Sequence, residues 1–232
     1  MRWADLDSLN HVNNVVYLDY AAEAQAMLAE DGVLAADLTV SRTTVEFLRP
    51  LLLSSRPVTI FSTLDGRLIT QEIGVARDGG QTIFARVVTT FGARESLRAI
   101  GIAEAHTCRV RRSDLAPSGV VSPVKVFELF QEGRIMFVAN QLKALAAGSF
   151  VVARVDVTYG PDITWRRQPY DVVSRISRVG TSSVTIEAEI VDGPLVHARA
   201  TSVLVGYDLE TQHSRAFNAE ERAAFAAFSP AD

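Results

Sequence analysis

The stretch Val12-Asn13-Asn14-Val15-Val16-Tyr17-Leu18-Asp19-Tyr20-Ala21-Ala22-Glu23-Ala24-Gln25-Ala26-Met27-Leu28-Ala29-Glu30-Asp31 decides the fold. Tyr17, Ala21, Ala24 and Leu28 recur at steps of four, three and four, the period of one helix face. Gly32 follows, where a helix C-terminus favours glycine. A helix is expected over residues 12–31. Residues 39–48, 58–64, 68–77 and 82–91 are rich in β-branched residues and read as strands. Asp65-Gly66 and Asp78-Gly79-Gly80 supply hairpin turns between them.

The second half repeats this order. A helical stripe runs through Val126, Phe130, Gly133, Phe137 and Ala144 and ends at Gly148. Asn140 interrupts it and reads as a side chain hydrogen-bonded at the core edge. Strand-like runs follow at residues 150–159, 170–178, 183–191 and 195–207, with a turn at Asp192-Gly193 and a short helix over 219–228. The match extends to single residues. A shift of 109 carries Arg2, Asp5, Leu6, Val12, Val15 and Glu23 onto Arg111, Asp114, Leu115, Val121, Val124 and Glu132. A shift of 112 carries Val45, Phe47 and Pro57 onto Val157, Tyr159 and Pro169, and a shift of 113 carries Gly80 and Ala85-Arg86 onto Gly193 and Ala198-Arg199. Loops absorb so small a drift. The chain is therefore a duplicated α+β domain, with copies over 1–104 and 109–232. Each long helix must bury its stripe, so each antiparallel sheet is expected to curve around its own central helix. Small residues such as Ala21, Ala24 and Gly133 let strands pass close to the helix. Two copies would pair edge to edge about a pseudo-two-fold axis, hiding two sheet edges.

Composition narrows the function. The 232 residues are 48% hydrophobic and 22% charged, which is ordinary globular usage. A net charge of −4, with 23 basic and 27 acidic residues, argues against a nucleic-acid binder, and the one basic cluster, Arg109, Arg111 and Arg112, reads as a solvated strand or linker. Cys108 is the lone cysteine, so no intrachain disulfide exists. No run approaches the ~18 apolar residues of a membrane span. The first residues show no signal-peptide pattern, and a cytoplasmic location is expected.

One segment exceeds what a helix start needs. Residues 5–14 hold Asp5, Asp7, Asn10, His11, Asn13 and Asn14. One polar side chain suffices to cap a helix. A helix N-terminus also stabilises a carbonyl oxygen that is gaining negative charge. A carboxylate beside it attacks the acyl carbon or deprotonates water, and an imidazole four residues on orients water or passes a proton. The second copy holds Ala116, Val120, Ser122 and Pro123 where the first holds Asp7, His11, Asn13 and Asn14. The apolar frame repeats and the polar set does not.

Asp5-Leu6-Asp7-x-x-x-His11-Val12-Asn13-Asn14-x-x-Tyr17-Leu18 resembles the motif preceding the central helix of hotdog-fold thioesterases, the 4-hydroxybenzoyl-CoA thioesterase-like group and the plant acyl-ACP thioesterases. Val45-Glu46-Phe47-Leu48-Arg49-Pro50-Leu51 is similar to a strand-and-loop segment of the same group. The resemblance implies two tandem hotdog domains, the second degenerate. It implies hydrolysis of acyl thioesters of coenzyme A or acyl carrier protein, with no cofactor and no metal. Asp7 and His11 are the implied catalytic residues, and Asn13, Asn14, Val15, Tyr17 and Leu18 the implied substrate-binding ones. It also implies a homodimer of double-hotdog chains. The sequence departs from the family pattern at Asn10, Leu9, Pro50-Leu51, Ala22 and Gln25.

The alternative is a non-catalytic acyl-thioester or fatty-acyl binding protein on the same fold. Asp7 and His11 argue against it, because binding alone needs no carboxylate beside a thioester carbonyl. Glu46 reads as a paired surface carboxylate, and His197, which replaces Phe84 of the first copy, as a strand histidine satisfied by a neighbour. Arg49, Arg166 and Arg167 fall in loops, where a phosphate-bearing ligand could meet them. The acyl tail is expected to run between the halves, along Val15, Tyr17 and Leu18 and along Phe127, Phe130 and Phe137.

Overall fold

The computed structural model describes residues 1–7, 10–35, 37–77, 80–101, 104–145 and 148–229, with Arg77 described by its backbone alone. The chain forms two compact units, Met1–Arg94 and Glu95–Asp232. This boundary lies earlier than the one read from the repeat. Leu97 bridges Val196, and Ile100 bonds the Glu189 carboxylate, so the segment before residue 104 belongs to the second unit.

In the first unit, α1 (Val16–Glu30) precedes β1 (Val40–Phe47), β2 (Val58–Asp65), β3 (Leu68–Arg77) and β4 (Gly80–Phe91). The strands are antiparallel in the order β2-β3-β4-β1. Asp65 pairs with Leu68 across a two-residue turn in which Gly66 takes φ +58°, a conformation that glycine adopts without strain. Asp78 and Gly79 of the other expected turn lie outside the described residues. The helix lies on β2, β3 and β4. Tyr17, Leu18 and Ala21 are buried there, together with Val45, Ile69, Ile73 and Val87. Each such aliphatic side chain contributes roughly 1.5–3 kcal/mol. The α1 axis begins at Val16, not Val12, because His11 and Val12 are engaged in strand-like bonds to Leu52 and Leu51.

The second unit repeats the plan with additions. It comprises β5 (Glu104–Cys108), α2 (Pro123–Gln141), β6 (Phe150–Tyr159), β7 (Tyr170–Val179), β8 (Ser183–Asp192), β9 (Leu195–Asp208), β10 (His213–Ser214) and α3 (Ala219–Ala226). The strand order is β6-β9-β8-β7-β5, with β10 on β9. Dropping β5 and β10 leaves the order of the first unit. Gly133 is required on α2, since a Cβ there would sit 2.5 Å from Val172 Cγ1. α2 ends at Gln141, and Leu142 and Leu145 rather than Ala144 complete its buried cluster. Asn140 is exposed, not at the core edge. α3 docks through Phe225 and through Glu221, a buried carboxylate held by both Arg215 terminal nitrogens at 2.9 and 2.6 Å. Among the described residues, no helix is long and apolar enough to cross a membrane.

Candidate active site

Main-chain bonds build the loop before α1. A single 3₁₀ turn, Trp3–Asp5, is closed by the Arg2 N–H donating to Asp5 Oδ2 at 2.5 Å. Leu6 and Val12 then pair as an antiparallel bridge. Between them the Asp7 N–H bonds His11 O at 2.8 Å and the Asn10 N–H bonds Asp7 O at 3.1 Å. Asn10 takes φ +62°, a conformation that asparagine tolerates better than most residues. The Asp7 carboxylate accepts the His11 N–H at 3.0 Å. Asp7 is therefore no helix cap: it accepts a bond from His11, four residues on and ahead of Asn13-Asn14-Val15. The capping role falls to Asn13, whose Oδ1 accepts the Val15 N–H at 3.0 Å and whose carbonyl accepts the Val16 N–H at 2.9 Å.

The second unit repeats this loop bond for bond. The Arg111 N–H donates to Asp114 Oδ2 at 2.6 Å. Leu115 bridges Val121, the Ala116 N–H bonds Val120 O at 2.8 Å, and Gly119, at φ +83°, stands where Asn10 stands. The Val121 N–H reaches Ile163 O at 2.8 Å as the Val12 N–H reaches Leu51 O at 2.8 Å. Ser122 caps α2 through the Lys125 N–H. Asp5 and Asn13 thus have structural counterparts in Asp114 and Ser122. Asp7 and His11 have none: the same loop closes over Ala116 and Val120. The second unit serves as an internal control, in which the fold forms without either polar side chain.

Asp7, His11, Asn13 and Asn14 are all half-buried, and Val15, Tyr17 and Leu18 are buried. Tyr17 stands edge-on to Phe47 with ring centroids 5.6 Å apart. Burial pushes its phenol up to about 12, a backbone hydrogen bond from Leu51 opposes this, and the nearby Asp7 charge adds to the rise. The structure thus brings Asp7, the His11 backbone, Tyr17 and Leu51 together. Phe127, Phe130 and Phe137 are packed in the core of the second unit.

Glu46 pairs with Arg86 at 3.7 Å, in a cross-strand row completed by Glu72 at 2.8 Å, as its strand position suggested. His197 Nδ1 meets Pro161 O at 3.1 Å, which fixes the proton on Nδ1, and its Nε2 is buried without a partner. Arg166 is held by Asp192, Pro169 O and the Tyr170 ring, 3.8 Å below its guanidinium carbon. Cys108 is buried and its thiol is pushed up to about 11, chiefly by desolvation. Sequence reasoning missed Arg134, which is 5% exposed on α2 and bonds Ser202 Oγ at 3.3 Å. Its place in the first unit is taken by Gln25, which bonds Gln71 at 2.7 Å and Thr89 at 3.3 Å. Among the described residues no cluster of His, Cys, Asp and Glu could hold a metal ion.

A family model, the thioesterase-like superfamily, matches residues 110–230, just over half of the chain. The chain belongs to the thioesterase-like superfamily. It is a thioester hydrolase, and its helix-on-antiparallel-sheet units have the hotdog-type α+β fold. A second model, the acyl-ACP thioesterase C-terminal domain, matches residues 1–51, the segment that holds Asp7. No curated protein matches. Among solved structures, a putative oleoyl thioesterase from Lactobacillus plantarum is similar at 13% identity and a TM-score of 0.64, covering 89% of this chain and 93% of that one. The 12:0-ACP thioesterase from Umbellularia californica is similar at 11% identity and a TM-score of 0.65, covering 89% and 91%. A Thermus thermophilus thioesterase complexed with coenzyme A and Zn is 25% identical with a TM-score of 0.50, covering 56% of this chain and 97% of that one.

Proposed function

We propose that this thioesterase hydrolyses acyl thioesters of coenzyme A or acyl carrier protein at a single site in its first unit, with Asp7 as the catalytic carboxylate. The observation that carries this reading is the pair of loops with matching main-chain bonds, of which only the first bears a carboxylate and an imidazole at the positions of Asp7 and His11, where the second has Ala116 and Val120. The Asp7 carboxylate takes a proton from water, whose oxygen bonds the acyl carbon as the C–S bond breaks. The departing thiolate takes up the proton held by Asp7, which restores the carboxylate. His11 orients the water. The positive end of the α1 dipole stabilises the oxyanion, as a preorganised helix terminus can. Asn13 and Asn14 shape that turn beside the thioester, and Val15, Tyr17 and Leu18 meet the first carbons of the acyl chain. The second unit is the degenerate copy, with Ala116 at the position of Asp7.

The match of residues 1–51 to an acyl-ACP thioesterase domain supports the substrate class. The similar structures named for oleoyl and 12:0-ACP thioesterases support a medium or long acyl group. The test is steady-state release of free thiol from acyl-CoAs of increasing chain length, beside one acyl-ACP. The rate constant kcat/KM should rise steeply with chain length, since each buried CH₂ contributes about 0.8 kcal/mol, and then level off. A best rate on acetyl-CoA would refute the preference, and no thiol release from any substrate would refute the reaction.

A further inference from the structure

Two basic stretches that are far apart in sequence meet in the second unit. Arg109, Arg111 and Arg112 follow β5, and Arg166 and Arg167 lie in the loop between β6 and β7. The fold fixes one stretch against the other. The Val121 N–H bonds Ile163 O at 2.8 Å, Val120 bridges Thr164, and Arg109 Nη1 donates to Arg167 O at 2.9 Å. The Arg112 guanidinium carbon lies 3.9 Å from the centre of the Trp165 ring. The Tyr170 hydroxyl pins the same loop, donating to Thr164 O at 3.0 Å and accepting the Thr164 N–H at 3.3 Å. Arg166 is half-buried and engaged by Asp192, Pro169 O and the Tyr170 ring. Arg109, Arg111, Arg112 and Arg167 are exposed, and so is Trp165, at 36%. Among the described residues none of these four arginines pairs with a carboxylate.

The first copy shows that the fold does not require this charge. Its Val12–Leu51 bond and His11–Leu52 bridge match Val121–Ile163 and Val120–Thr164. That register sets Trp3, Leu53, Ser54 and Ser55 against Arg112, Trp165, Arg166 and Arg167. Over residues 2–13 and 51–57, Arg2 and Arg56 are offset by Asp5 and Asp7. Over residues 111–122 and 163–169, Arg111, Arg112, Arg166 and Arg167 are offset by Asp114 alone. Asp114 is buried and accepts the Arg111 main-chain N–H. Asp162 and Asp171 flank the second loop in sequence, and Asp192 is taken by Arg166. The pair of loops that lacks Asp7 and His11 is thus the basic one, in a chain whose net charge is −4.

We infer that this face of the second unit docks on an anionic phospholipid surface, with Arg109, Arg111, Arg112 and Arg167 at the lipid phosphates and Trp165 at headgroup depth. The inference stands apart from the reaction at Asp7. Guanidiniums pair well with phosphate oxygens, and exposed cations without a counter-charge are drawn to an anionic leaflet within a Debye length. An acidic molecule with one basic face also approaches such a surface in a fixed orientation. A soluble polyanion would be served by charge alone. The indole singles out the lipid surface, because an apolar ring with one polar N–H suits the boundary between headgroups and acyl chains. Arg112 stacked on Trp165 presents both chemistries at one point.

The test is co-sedimentation of the full chain with vesicles of phosphatidylcholine alone and of an equimolar mixture with phosphatidylglycerol. Binding should appear on the anionic vesicles only and should fall away as salt is raised. Arg111→Gln, Arg112→Gln and Arg167→Gln should each weaken it about fivefold, and the triple variant should lose it with Tm unchanged. Arg56→Gln, on the equivalent loop of the first copy, should leave it intact. The chain holds two tryptophans, so in a Trp3→Phe background the emission of Trp165 should shift to the blue on anionic vesicles. Equal binding to both vesicles, binding kept by the triple variant, or an equal loss in Arg56→Gln would overturn the inference. Displacement by inorganic phosphate but not by chloride at matched ionic strength would overturn it in favour of a free-anion site. Arginine-dependent binding of poly-aspartate or a short DNA duplex, with none to vesicles, would overturn it in favour of a soluble polyanion.

Discussion

Replacing Asp7 by Asn separates chemistry from folding. The side chain accepts the His11 N–H at 3.0 Å, and an amide oxygen can accept the same bond. Even its complete loss is bounded by the second unit, where the Ala116 N–H still reaches Val120 O at the 2.8 Å seen between Asp7 and His11. One half-buried hydrogen bond is worth about 1 kcal/mol. Asp7→Ala should therefore lower Tm by only about 2–4 °C in a chain of this size, and Asp7→Asn by less. Activity should respond otherwise. Losing the proton acceptor should cost ~100-fold in kcat, close to 3 kcal/mol of transition-state stabilisation. Ala116→Asp should gain no activity, since Val120, Ser122 and Pro123 supply no partner for it. Thiol release on the best acyl-CoA, measured beside thermal unfolding of the same samples, checks both quantities. An Asp7→Asn enzyme within about threefold of wild type would refute the argument, and so would a large fall in Tm with the rate retained.

Tyr17→Phe leaves the Leu51 N–H without its phenol oxygen and should cost about 1–2 kcal/mol in urea unfolding, with a fall in kcat if the hydroxyl touches the reacting groups. The Cys108 thiol, raised from 9.0 to about 11, keeps its proton in the folded state while the unfolded chain loses it, so its contribution is complete below pH 9 and is lost as pH rises towards 11. Cys108→Ala should flatten that part of the alkaline limb, and native protein at pH 8 should react slowly with iodoacetamide. Glu221→Ala takes both carboxylate bonds from Arg215, which keeps its bonds to the Tyr207, Ala216 and Ser149 carbonyls, and should cost about 1.5–3 kcal/mol, read from denaturant midpoints. Two chains should associate through faces rich in exposed apolar residues such as Trp3, Leu52 and Phe61, and a sedimentation run showing monomer alone would refute this.

The helices, the strands and the doubling of the fold were legible because they rest on local periods and on matched residues such as Asp5 and Asp114. The loop bonds were not. Residues 12–15 look helical in sequence, yet Leu51 and Leu52, some forty residues on, hold His11 and Val12 extended. The boundary between units was read too late for the same reason: Leu97 and Ile100 belong with Val196 and Glu189, about ninety or more residues away. Arg134 sits between Gly133 and Ile135 with nothing in the local pattern to reveal that it is buried. Its burial follows from the sheet against which α2 lies. The repeat singles out Asp7 and His11 because the comparison of copies cancels what both loops share and leaves the positions at which they differ.

The same main-chain bonds shape the loop over Asp7 and the loop over Ala116, so the fold does not depend on the Asp7 carboxylate. A duplicated copy can shed its chemistry one side chain at a time without losing yield or solubility, and only turnover exposes the loss. Positions 116 and 120 are, for the same reason, free ground for redesign: a library varied there should remain folded almost throughout, and selection could then act on function alone.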